Sequence, residues 1–470
     1  MPYNFSGPRG VVRYEVAARF GHLPTSSNKT ILERLSKYRR PEDGFDPSMI
    51  EERVVSAETL KRYGGPEVRY VVCVDGSGYE TQEAFNRFPS TRALYMQVAG
   101  VFIDLHKMLD QNDEWVDPAR IADATQASVV SGFLPSSFLE HEFYDDPVEA
   151  FRAELFYLFA STKVQKRSLL DVLLEAAKYI RLEGASAAAS RGQLLLTKCP
   201  NAECKLSNAS GKRNAFPISF DQPANCPSCG CTVWSTDALR IWEAFKPDAS
   251  NGEVLGRTHQ VIEHLVLLGV ALGLEDASPR VLQRTAFICD GDLAIFGQAA
   301  RYHAGLLGAW QALWTRAASR GHEPPVVVGV AKSGYPVEHL RGIHRFIPRR
   351  SLMRLDDKYM TTRLRIVSLT ETYFGRKLFY HASDDQLLVI TVPPNTGAAY
   401  GAPGADEDLS AVGRFSTLAR ALDLLDELGS RLYDDALIPV SLAHHWAAYP
   451  LVNTEHVLRL LTDQVLRRKE

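Results

Sequence analysis

Two runs constrain the fold of this chain more than any other feature: Val71-Val72-Cys73-Val74-Asp75-Gly76-Ser77-Gly78 and Phe287-Ile288-Cys289-Asp290-Gly291-Asp292-Leu293. Each is apolar and β-prone and reaches Asp-Gly, so each predicts a buried strand with a carboxylate at its tip and a turn directly after it. An Asp-Gly dipeptide alone more often marks a hairpin turn. What sets these two apart is the deeply apolar strand before each. Such strands suit the centre of a sheet, and α/β folds place their sites at the carboxyl ends of central strands. Two such tips side by side hold two acids at the rim of a sheet, where they can share a hard cation.

The rest of the chain supplies the surrounding layers. Strands are predicted at 68–74, 93–105, 326–331, 387–392 and 437–442, the last running into Ala443-His444-His445. Helical periodicity occupies 147–159, 169–181, 256–274, 302–319 and 415–432. The alternation indicates an α/β fold with a mixed sheet and flanking helices. Residues 184–192, GASAAASRG, have the composition of a linker, and 401–413 form a Gly-, Ala- and Asp-rich loop. This divides the chain into an N-terminal extension (1–65, with helical patches at 31–38 and 56–63), a first core part (66–185), a cysteine-rich insertion (195–235) and a second core part (236–470).

Composition narrows the function. With 470 residues there is room for two or three compact units, and 45% hydrophobic residues exclude a disordered chain. A net charge of -3 excludes a generally basic nucleic-acid coat, so any nucleic acid must follow a local basic path. The N-terminus has no signal-peptide pattern, and the longest apolar stretch, 265–274, stops at Glu275, too short to span a bilayer. A soluble, cytoplasmic protein is expected.

Five of the seven cysteines crowd into one window. Cys199-Pro-Asn-Ala-Glu-Cys204 and Cys226-Pro-Ser-Cys229 form two knuckles joined by a polar loop, the pattern of a small zinc ribbon. Four thiolates in two close pairs suit a closed, structural Zn²⁺ site, and backbone N–H groups in the tight turns can point at the sulfurs. Cys231 is an alternative fourth ligand. Cys73 and Cys289 are buried core thiols.

The acids at 75 and 290 need a third partner to hold a cation. Glu263 interrupts an otherwise apolar helix face in Thr258-His-Gln-Val-Ile-Glu263-His-Leu-Val. A carboxylate there is costly unless paired or liganded, although a Glu on the solvent side of an amphipathic helix is the plainer meaning. Glu243, Glu253 and Glu275 are alternatives.

With these motifs in order, the chain resembles the NurA nucleases, which partner the HerA translocase. Val74-Asp75-Gly76-Ser77 looks like the family's first motif, and Glu263 stands where its catalytic glutamate does. Asp290-Gly291-Asp292-Leu293 resembles its Asp-Gly-x-Leu motif, with Asp292 an added acid. Val328-Gly329-Val330-Ala331-Lys332-Ser333 is similar to its strand ending in Lys-Ser, and Ile438-Pro439-Val440-Ser441-Leu442-Ala443-His444 to its closing strand. The resemblance covers about residues 66–450.

It implies an RNase H-like core, a homodimer, Mn²⁺- or Mg²⁺-dependent cleavage of DNA in end processing or phage defence, and docking on a HerA-like hexameric ATPase. In that scheme Asp75 bridges two cations, and Glu263 and Asp290 complete their ligand shell. Lys332 offsets charge on the phosphate. His444 orients the water or shuttles a proton, and His445 could exchange roles with it. The chain carries no Walker A motif: Gly329-Val-Ala-Lys332-Ser333-Gly334 has the wrong spacing, so ATP hydrolysis belongs to a separate motor. The strongest basic run contains Arg345, Arg349 and Arg350 and is a candidate DNA-binding segment. The rival readings are a non-catalytic zinc-ribbon adaptor for DNA or a translocase, and a different metal hydrolase such as a phosphatase.

Overall fold

A computed structural model of the chain describes residues 3–6, 12–15, 27–38, 47–60, 65–82, 90–109, 118–207, 215–401, 414–430, 436–448 and 454–467. Nearly all of the loop expected at 401–413, and parts of the 1–65 extension, lie outside them. The chain divides into two compact units, Met1–Met49 and Ile50–Glu470. Within the first, Tyr3–Ser6 pairs antiparallel with Val12–Glu15. The helix Lys29–Leu35, expected at 31–38, is capped by Asn28, whose side chain accepts from the backbone of Thr30 and Ile31.

The second unit is built on a nine-stranded mixed sheet. In chain order its strands are β1 (Val54–Ser56), β2 (Tyr70–Gln82), β3 (Arg92–Asp104), β4 (Thr125–Pro135), β5 (Thr285–Asp290), β6 (Val326–Ala331), β7 (Ser351–Arg354), β8 (Arg376–His381) and β9 (Leu387–Val392). Their order across the sheet is β1-β7-β8-β9-β6-β5-β2-β3-β4. β2, β5 and β6 are mutually parallel in the middle, and every other pairing is antiparallel.

Side-chain alternation along the central strands splits the interior into two layers. Val72, Val74, Phe287, Cys289 and Val327 face a layer formed by α1 (Pro147–Ser161), α2 (Leu169–Ala177), α3 (Gly252–Ala277) and α4 (Tyr302–Ser319), which contributes Phe151, Leu173, Ile262, Leu265 and Trp310. Val71, Cys73, Ala286, Ile288, Val328 and Val330 face the other layer. α5 (Tyr335–Ile343) packs against β9, and α6 (Leu418–Glu427) and α7 (Ile438–Ala447) bring Leu422, Leu425, Val440 and Ala443 to this second layer. Each fully buried aliphatic side chain contributes about 1.5–3 kcal/mol. Burial on both faces explains why these strands carry near-continuous apolar runs. A last helix, α8 (Thr454–Arg467), meets β3 through a 2.8 Å hydrogen bond between Thr462 and Tyr95.

Four expectations are corrected. Asp75-Gly76 is not a turn: β2 runs on to Gln82, still paired with β3, although its parallel pairing with β5 stops at Val74. Residues 438–447 are a helix rather than a strand, because Pro439 sits in the first turn, where its missing N–H costs nothing. The linker expected at 184–192 contains the short helix Ala185–Ala189, whose Ala185, Ala188 and Ala189 are buried. The helix expected over 415–432 is confined to Leu418–Glu427. The cysteine-rich insertion folds as two small antiparallel pairs, Gln193–Leu196 with Phe216–Ser219 and Ala224–Asn225 with Thr232–Val233.

Candidate metal centre

Alternation in the three parallel strands decides which side chains meet. Asp75 shares parity with Val71 and Cys73, Asp290 with Ala286 and Ile288, and Lys332 with Val328 and Val330. All three therefore emerge on the α6–α7 face at the carboxyl ends of the parallel strands. Lys332 Nζ donates to Asp290 Oδ2 at 2.8 Å. From α7, His444 donates through Nδ1 to Asp75 Oδ2, also at 2.8 Å. Asp75, Asp290 and His444 each offer a ligand atom within 4.8 Å of the others. Asp75 is buried and His444 exposed, so the trio forms a rim open on one side.

Glu263 reaches the same rim from the opposite face of the sheet. Gly76 and Gly78 have the parity of Val72 and Val74, toward α3, and both are bare. A Cβ at Gly76 would come within 2.5 Å of Glu263 Oε1, and one at Gly78 within 2.4 Å of His259 Cε1. The two glycines thus let α3 lie against the strand backbone, and the Gly76 N–H donates to the Glu263 carboxylate. Gly291, directly after Asp290, has a φ of 116°, which a Cβ would strain.

The electrostatics are those of acids crowded without enough counter-charge. Burial between α3 and the strand backbone, then the charges of Asp75 and Asp290, push Glu263 up to about 8. Burial raises Asp290 as well, against the pull of Lys332. On the α3 side His264 is buried and lowered to about 4, with Nε2 3.1 Å from the Ala294 carbonyl, so it is a neutral packing group. Burial likewise lowers His259 to about 4. Two oxygen acids, a third beside them and an imidazole form a donor set that suits Mn²⁺ or Mg²⁺.

The remaining candidates are placed as follows. Asp292, the extra acid, turns away and pairs with Lys377, which is fully buried. His445 is exposed on α7. Of the alternative glutamates, Glu243 pairs with Arg240 and Lys198, Glu253 with Arg257, and Glu275 with Arg316 and Arg320, so each is engaged elsewhere. Arg345 lies over the Phe346 ring, Arg349 pairs with Asp385, and Arg350 lies near Glu58, Asp423 and Asp426. Arg349 and Arg350 directly precede β7, on the same edge as Asp290 but four strands away, roughly 19 Å. Sequence reasoning missed Lys377: Arg376, Lys377 and His381 flank the short run Leu378-Phe379-Tyr380, and nothing local shows that the charged ends are buried too.

In the insertion, Cys199, Cys204, Cys226 and Cys229 offer four sulfurs within 4.8 Å of one another. The Cys199–Cys229 and Cys204–Cys226 separations are 3.7 and 3.8 Å. A tetrahedral zinc with Zn–S bonds near 2.3 Å requires about 3.8 Å, so the cluster fits that ion. Cys231 Sγ lies 3.4 Å from Cys199 Sγ and keeps its place as an alternative ligand. The backbone N–H of Leu206 points at Cys204 Sγ, and that of Cys231 holds Cys229 down to about 6.

No family model matches the sequence, and no curated protein matches it. A solved structure titled "Crystal structure of NurA" aligns with 93% of this chain and 97% of its own, at 9% identity and a TM-score of 0.28. No helix among the described residues is long and apolar enough to cross a membrane.

Proposed function

We propose that this chain is a divalent-metal-dependent deoxyribonuclease. The observation that carries the reading is the convergence of Asp75, Asp290 and His444 within ligand distance at the rim of three parallel strands; Glu263 lies outside that 4.8 Å set but against Gly76, next to Asp75. The raised Glu263 fits the same reading: burial first, and then the charges of Asp75 and Asp290, push it up to about 8, and a bound cation would offset both. The order β4-β3-β2-β5-β6, an antiparallel meander continued by two strands parallel to its first, supports an RNase H-like core.

Asp75, Asp290 and Glu263 would hold Mn²⁺ or Mg²⁺. A bound divalent ion there would polarise the scissile phosphate and lower the pKa of the attacking water. Lys332, on Asp290, is placed to steady charge growing on the phosphate oxygens. His444, exposed and anchored by Asp75, can accept a proton at Nε2 while its Nδ1–H stays with the carboxylate. The thiolate cluster would hold Zn²⁺ as a structural brace. The motif order supports a HerA-like hexameric ATPase as partner and a homodimer as the working form.

The test is cleavage of linear and single-stranded DNA with Mn²⁺, with Mg²⁺ and with no added metal, for the parent, Asp75→Ala and Asp290→Ala. Each variant is expected to lose at least about a thousandfold of the metal-dependent activity while keeping the parent's circular dichroism. Near-normal Mn²⁺-dependent cutting by either variant refutes the site.

A further inference from the structure

On α3, Gln260 stands one turn before Glu263 and accepts from the Phe296 N–H, and Arg257 lies about 9 Å from Glu263 toward the helix N-terminus, turned round the helix toward Gly297. Arg257 pairs with Glu253 yet keeps one buried Nη1 without a hydrogen-bond partner. It lies against Gly297, whose Cβ would approach its Cζ at 2.8 Å. Gly297 opens the short helix that ends at Arg301.

Arg301 donates to the Thr197 hydroxyl and also keeps a buried Nη2 without a partner. Next to Thr197 stands Lys198, immediately before the first zinc-knuckle cysteine. Lys198 lies 5.5 Å from the centre of the Trp242 ring and 3.4 Å from Glu243. Arg240 forks onto the same Glu243 at 2.6 and 2.8 Å, from a left-handed backbone conformation with φ 58°. Burial, the dominant cause, and the nearby Arg240 guanidinium hold Arg301 below the usual arginine value. Among the described residues, the four cations Arg257, Arg301, Arg240 and Lys198 therefore meet two carboxylates, Glu253 and Glu243. The stripe runs from the helix of the acid site to the zinc knuckle and has a half-buried indole at its far end. The groove beside Trp242 is lined by Asp146, Glu149 and Glu243, with Arg152 already paired to Asp237, so the surplus positive charge lies outside it, on the side of Lys198, Arg240 and Arg301.

We propose that this stripe is a phosphate track: it holds the sugar-phosphate backbone of a nucleic acid between the acid rim and the zinc knuckle, with Trp242 as a stacking surface for a base. The proposal rests on the nuclease reading for the direction of the path, and it gives the knuckle a role beyond bracing. It also resolves why a chain of net negative charge needs no basic coat: guanidinium groups are planar forks suited to phosphate, and here they are gathered in one strip.

Binding is tested on the full-length protein carrying Asp75→Asn, with zinc retained and no Mn²⁺ or Mg²⁺ added, by anisotropy of fluorescein-labelled single-stranded and duplex DNA across salt concentrations. Adding Lys198→Gln, Arg240→Gln and Arg301→Gln together should weaken binding roughly tenfold or more and lower the salt slope by about 2 to 3. Zinc content and circular dichroism verify that this variant is folded. Glu243→Gln, which removes an opposing carboxylate, should tighten binding and steepen the slope, so the expectation does not rest on a loss alone. Unchanged affinity and slope in the folded triple variant, with the parent binding DNA, overturn the track and leave the nuclease reading intact. Failure of the parent itself to bind or cut DNA overturns both.

Discussion

Glu263 turns the crowding of the acid rim into a measurable pH dependence. Its carboxyl ionises near 4.3 in an unfolded chain and at about 8 in the folded protein. A raised acid binds a proton in the native state that the unfolded state has already released. The metal-free protein therefore has this group's full stability below about pH 4.3 and loses it as pH rises toward 8. The shift corresponds to roughly 5 kcal/mol at 1.36 kcal/mol per unit. Because Glu263 is half-buried at an open rim, solvent screening reduces this to about 2–3 kcal/mol.

Glu263→Gln removes the ionisation while the amide oxygen can still accept the Gly76 N–H. With no Mn²⁺ or Mg²⁺ added and zinc in place, thermal melts of parent and variant should coincide near pH 5. The variant should gain roughly 3–5 °C by pH 9, since a unit of this size moves by about 1–2 °C per kcal/mol. Mn²⁺ should then raise the parent's melting temperature more at pH 9 than at pH 6, and should do much less for the variant. A gap between parent and variant that does not change with pH would refute the argument that burial, with Asp75 and Asp290 beside it, raises Glu263 in the folded protein.

Two further outcomes follow from the packing. Lys377→Met should destabilise the protein by about 3–5 kcal/mol, because it takes away the cation paired with the mostly buried Asp292 carboxylate and leaves it only the Tyr373 hydroxyl; a denaturant midpoint equal to the parent's contradicts this. Cys226→Ser should lose zinc and expose residues 199–231 to protease while the main sheet stays folded; retention of one zinc per chain would shift the ligand set toward Cys231.

Much of the central sheet was legible because its strands are buried on both faces and so carry uninterrupted apolar runs. β2, β5, β6 and β9 are read directly from Val, Ile and Phe content. β8 was not: Arg376, Lys377 and His381 are all buried there, each held by partners distant in sequence that no local pattern reveals. In sequence, Asp75-Gly76 has the signature of a turn because glycine usually ends a strand. In the fold, glycine is there because α3 occupies the space a side chain would fill. His444 was located in sequence, but its element was misjudged, since Leu437-Ile438-Pro439-Val440 has strand composition and only the proline in the first turn marks a helix. The acids at 75 and 290 were legible as a pair because strand alternation is fixed at two residues, and that parity carries over from sequence to space without knowledge of the helices.

The bare glycines of β2 leave the rim unusually sensitive to length. Inserting or deleting one residue between Tyr70 and Asp75 would rotate the acid onto the α3 side and swing a side chain into the slot now empty at position 76. A two-residue change would restore the facing but carry the carboxylate about 7 Å along the strand, out of reach of Asp290. Homologous chains that keep this chemistry should therefore vary freely in the insertion between 195 and 235 and in the spacing from Asp75 to Glu263, yet hold the count of residues in this one segment constant.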